Sequence, residues 1–135
     1  MPCYVTALDY TAALESAKRA LEIRIKLFGE ENPKTADSYH SPGVTQHSLS
    51  DYTAALDSKK RALDIRIKLF GEEHPNAADS YHEAGVTQHS LSDYTAALES
   101  TARALDIRMK LFGEEHPKTA DSYYSVGVTE HSLSD

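Results

Sequence analysis

Seven histidines are the side chains of this 135-residue chain best suited to metal binding or proton transfer, and most recur at fixed intervals. His40 and His47, like His82 and His89, are seven residues apart. On a helix that is two turns, too far for both imidazoles to reach one ion at ~2.0–2.1 Å without a neighbouring helix. His74 and His116 each precede a proline and read as turn or capping residues. A glycine-rich phosphate loop, a His-Glu-x-x-His pair and a serine elbow are all missing. The abundant carboxylates recur beside lysines and arginines, the pattern of a solvated helix face. The expectation is a chain without catalysis, cofactor or metal. The formal charge is -7 with neutral histidines, and protonating them brings it close to zero. A change in solubility or self-association is therefore predicted between about pH 7.5 and about pH 5.5.

These residues recur because the segments that carry them recur. Residues 51–92 repeat almost unchanged at 9–50 and 93–134, a period of 42 with no insertion. Such a period marks a solenoid, whose units bury their apolar faces only by stacking on copies of themselves. Each copy reads as a long helix and then a short one. In the first, Tyr10, Ala13, Leu14, Ala20, Leu21 and Leu27 build one apolar face at helical spacing. Asp9, Asp51 and Asp93 are placed to cap the long helices. Asp57 with Arg61, and Asp64 with Lys68, are spaced as acid-before-base pairs on an exposed face. Gly29, Gly71 and Gly113 follow Leu-Phe as stop signals, and a Glu-Glu-His-Pro or Glu-Glu-Asn-Pro linker aims the chain onward. Short helices are expected from about Thr35, Ala77 and Thr119 to Ser48, Ser90 and Ser132, each ending in a Leu-Ser-Asp turn. Pro42 falls within the first and predicts a kink or local unwinding between Asp37 and Pro42. Residues 1–8, MPCYVTAL, read as a lead-in or partial helix before a single repeat domain at 9–135.

The negative charge argues against a nucleic-acid or anionic-membrane partner, and no apolar run nears the ~20 residues of a membrane span. The opening residues match no signal peptide, and Cys3, the single cysteine, has no internal partner. A cytoplasmic chain is expected.

The chain resembles a tetratricopeptide repeat (TPR) array of the 42-residue kinesin light chain and nephrocystin-3-like subtype. Tyr39, Gly43, Ala55 and Ala62 stand at TPR spacings, as do Tyr81, Gly85, Ala97 and Ala104. The Arg-Ala-Leu-(Asp/Glu)-Ile-Arg string and the Gly-Glu-Glu-His-Pro turn resemble this subtype more than the ordinary 34-residue TPR. Departures are Pro42 at a core position, and Gln46, Gln88 and Glu130 where TPR units carry a packing residue. The resemblance implies an all-α fold, a right-handed α-solenoid (TPR-like superhelix) of antiparallel helix pairs with six helices. It also implies a concave groove lined by the short helices, which takes extended or helical peptides. The groove positions carried over are Asp37, His40, Val44 and His47; Asp79, His82, Val86 and His89; and Asp121, Tyr124, Val128 and His131. Spacings of three, four and three residues put each set on one stripe, and the partner expected is a protein or peptide with some basic character.

Two functions follow from these readings. One is a non-enzymatic scaffold holding a peptide in the groove. The other is a structural array: the first long helix and the last short helix present complementary faces, so copies stack head to tail into a homo-oligomer.

Overall fold

In the computed structural model, which describes residues 3–39 and 51–134, the repeat period is realised entirely as helices. Helix α1 spans Cys3–Phe28, α2 is described over residues 33–39, α3 spans Tyr52–Phe70, α4 Pro75–Ser90, α5 Tyr94–Phe112 and α6 Pro117–Ser134. The chain divides into two compact units, Met1–Ile65 and Arg66–Asp135. The first holds α1, α2 and most of α3; the second holds the end of α3 and α4 to α6.

Local rules account for most boundaries. Gly29, Gly71 and Gly113 have φ of 84°, 87° and 80°. At Gly113, ψ is -179°, a combination open essentially to glycine alone, so the stop is conformational. The short helices begin at the prolines, about two residues before the expected start. Proline fits the first helical position because the N–H it lacks has no partner there. His74 caps α4 with extended backbone, φ -135° and ψ 146°, and its Nδ1 accepts from the Asn76 amide. His116 Nδ1 accepts from Lys118 N at 3.1 Å, and Asn32 Oδ1 does the same for Lys34 N at 2.9 Å. The histidine rings also stack on the preceding phenylalanines, His74 on Phe70 at 4.7 Å and His116 on Phe112 at 4.3 Å.

Three expectations are corrected. Asp9 lies inside α1 rather than at its start, because no glycine or proline interrupts the chain between Cys3 and Phe28 and the helix begins earlier. Asp51 and Asp93 do cap, each accepting an amide at 3.4 Å. Leu27, placed on the apolar face, is 70% exposed, and residues 11–28 of α1 are at most half-buried. Arg61 turns from Asp57 to Glu30, 3.0 Å away. Residues 33–39 are helical, while Pro42 and its expected kink lie outside the described residues.

The buried surfaces are built from small side chains. In the first unit Ala36, Ala55 and Ala62 are buried with Leu63 and Ile65, and Thr35 Oγ1 donates to the Gly29 carbonyl at 2.7 Å. In the second, α5 packs against both α4 and α6, burying Ala78, Ala84, Ala97, Ala104 and Ile107. At Gly85 an added Cβ would lie 2.6 Å from Thr101 Cγ2, so glycine sets the close approach of α4 to α5. The Leu-Ser-Asp turn places Ser92 at φ 62°, and the amide of Asp93 closes on Gln88 O at 2.9 Å.

Candidate functional site

Each long helix is tied to the short helix that follows by one arginine. Arg24, Arg66 and Arg108 donate to Ser38, Ser80 and Ser122 at 2.6, 2.8 and 2.8 Å. The serines are buried, and Arg108 is only 3% exposed. Arg108 also pairs with Asp79 at 3.0 Å and donates to the Lys118 carbonyl at 3.3 Å. Sequence reading counted these arginines among solvated charges. The signal that would have found them is that arginine and serine recur fourteen residues apart in all three copies.

A second tie joins successive copies. Glu30 accepts from its own repeat's Tyr39 at 2.7 Å and from Arg61 at 3.0 Å. Glu72 accepts from Tyr81 at 2.9 Å and from Arg103 at 3.0 Å. The Tyr81 hydroxyl, then Arg103, holds Glu72 below the usual carboxylate range. Burial, then Glu72, pushes the Tyr81 hydroxyl up.

Against this frame the expected groove stripe divides. Asp37 is exposed on α2; His40, Val44 and His47 lie outside the described residues. Asp79 is engaged by Arg108 and, at 3.4 Å, by Lys118. His82 is half-buried. Burial, then Arg108, lowers its pKa below the ordinary imidazole value, and its Nδ1 is buried without a hydrogen bond. Asp121 and His131 are exposed.

The four remaining positions come together. Val86 and His89 of α4 face Tyr124 and Val128 of α6 across a cleft of about 180 Å³, with Gly85 and Thr101 also lining it. His89 is fixed by Ser132 Oγ at 3.0 Å and by the Tyr94 ring, 5.0 Å between centroids. Tyr124 is 75% exposed. Gln88, which departs from the TPR pattern, is buried and accepts from the Ser100 hydroxyl at 2.6 Å, so a hydrogen bond takes the place of apolar packing. Among the described residues no group of three His, Cys, Asp or Glu side chains is arranged to hold a metal ion. No described helix is long and apolar enough to cross a membrane. Chemically, the cleft offers an apolar slot of side-chain size with one imidazole and one phenol at its edge.

Comparison with known proteins gives the family. The model of the tetratricopeptide repeat matches residues 3–68 and again 43–109. No curated protein matches the chain. Among solved structures, BtubC (BKLC) from P. vanneervenii is similar at a TM-score of 0.86 and 26% identity, over 94% of this chain and 51% of that one. A kinesin light chain-type protein of Podosopora anserina with nearly identical TPR-like repeats is similar at a TM-score of 0.85 and 20% identity, over 93% of this chain and 59% of that one. A single-substitution variant of that protein gives the same values. The chain thus spans between half and three-fifths of the structures it matches, and their likeness gives it the all-α fold of TPR solenoids. The family match over residues 3–68 and 43–109, on a chain of stacked helical repeats, shows that the chain belongs to the tetratricopeptide repeat family.

Proposed function

We propose that this chain is a non-enzymatic protein-interaction scaffold of the cytoplasm that holds a peptide in the cleft between α4 and α6. The observation that carries the reading is the meeting of Val86, His89, Tyr124 and Val128 around one apolar slot. Its volume suits a single aliphatic or aromatic anchor, the type of group that dominates binding energy at interfaces. The exposed Asp121 and the net charge of -7 favour a partner with basic residues beside that anchor. Panning a random-peptide display library on the chain tests this. The recovered peptides share an apolar anchor next to a lysine or arginine, and Val128→Glu abolishes their binding while Asp106→Asn leaves it unchanged. Peptides that bind both variants equally would refute the cleft as the site.

A second reading, head-to-tail association of copies, is favoured by the constant spacing of the pairs that join one repeat to the next, Glu30 with Arg61 and Glu72 with Arg103.

A further inference from the structure

The contacts that α5 and α6 make with the preceding repeat can be compared with what the first and third copies present. Within the second unit Glu72 pairs with Arg103, Glu73 with Lys110, and Asp79 with both Arg108 and Lys118. The acidic counterparts in the third copy are Glu114, Glu115 and Asp121. All three are exposed, and Glu114 and Glu115 make no ion pair among the described residues. The basic counterparts in the first copy are Arg19, Lys26, Arg24 and Lys34. Arg19 there falls back on Glu22, three residues along its own helix, at 3.3 Å with both side chains well exposed. Every acidic position thus finds its basic partner at the same spacing when the sequence is shifted by three periods.

The apolar surface repeats the match. Gly85 receives Thr101, whose Cγ2 lies where a Cβ would be blocked; Gly127, its counterpart on α6, has nothing within 4 Å. The counterpart of Thr101 on α1 is Ala17, a small knob only partly buried. Ala55 and Ala97 are fully buried, whereas their counterpart Ala13 is exposed. An open glycine notch at Gly127 and the small side chains of Ala13 and Ala17 have the shapes that meet at the α4–α5 contact.

Resting on the association reading above, we infer that a second copy of this chain docks its α1 on α6 in the register of the internal repeat contact. Gly127 takes Ala17 of the second copy, Glu114 pairs with its Arg19, Glu115 with its Lys26, and Asp121 with its Arg24 and Lys34. The contact is heterologous, so it propagates as an open chain of copies or closes as a ring. Charge complementarity fixes the register, because a shift along α6 sets like charges together.

Sedimentation of the full chain over a concentration series tests this. The wild type grows in mass with concentration. Glu114→Arg and Arg19→Glu each weaken association about tenfold, and the double variant recovers it, since the reversed charges meet again. Gly127→Leu, whose Cβ meets no atom of its own chain, blocks association with unchanged far-ultraviolet circular dichroism. Assembly that all three single changes leave untouched overturns this register but leaves head-to-tail stacking standing. A wild-type chain that stays monomeric throughout overturns both.

Discussion

At the scale of the residue, the buried guanidinium of Arg108 binds Ser122, Asp79 and the Lys118 carbonyl at once. Removing a charged hydrogen-bond partner from a buried site leaves the other groups unmet, which costs more than the bond itself contributed. Arg108→Met therefore lowers stability by about 2–4 kcal/mol, read from the urea midpoint. Arg19→Met, at an exposed pair, changes it by less than about 0.5 kcal/mol. His82 adds a pH dependence of known sign. The fold lowers its pKa, through burial first and Arg108 second. As pH falls through the ordinary imidazole value of about 6.5, the unfolded chain takes up the proton more readily, and stability falls. His82→Gln flattens that part of the melting-temperature profile between about pH 7.5 and about pH 5.5. Of the Arg108 contacts only the one with Ser122 leaves a trace in the sequence, as the fourteen-residue recurrence of arginine and serine; those with Asp79 and the Lys118 carbonyl depend on how the helices pack. Lys59, 3% exposed, went unread for the same reason. By contrast His74 and His116 were readable as caps, since a polar ring before a helix-starting proline is a local signal.

At the scale of the element, the α4–α5 contact turns on the absence of one methyl group. Gly85→Ala drives a Cβ to 2.6 Å from Thr101 Cγ2 and costs about 1–3 kcal/mol. Gly127→Ala, with open space around it, gains up to about 1 kcal/mol from helix propensity alone. Urea unfolding of dilute samples separates the two, and equal effects of the same sign would contradict the notch. Helix order and stops were legible because glycine, proline and periodicity act within a few residues. Burial along the helices was less so. The apolar pattern put Leu27 on the inner face, yet it is 70% exposed; the alanines that are buried are those of α3 and α5, Ala55, Ala62, Ala97 and Ala104, where stacking rather than the helix itself supplies the cover. The start of α1 was misread because Asp9 copies a true cap at Asp51 and Asp93 in a place where the helix simply continues.

At the scale of the whole molecule, near-identical repeats do different work according to what faces them. Asp79 is consumed by ion pairs while its counterpart Asp121 stays exposed. Gly85 is filled while Gly127 is open. Of the nine described positions predicted for the groove, Asp79 is held in ion pairs and His82 is half-buried, four line the α4–α6 cleft, and Asp37, Asp121 and His131 are exposed. The measurement that tests this most directly is amide NMR of the chain titrated with a peptide selected on it. Shifts concentrated at Val86, His89, Tyr124 and Val128, and absent with Val128→Glu, are the result predicted for a scaffold that holds its partner between α4 and α6. Shifts confined to the outer face of α5, with those four residues unmoved, would contradict it.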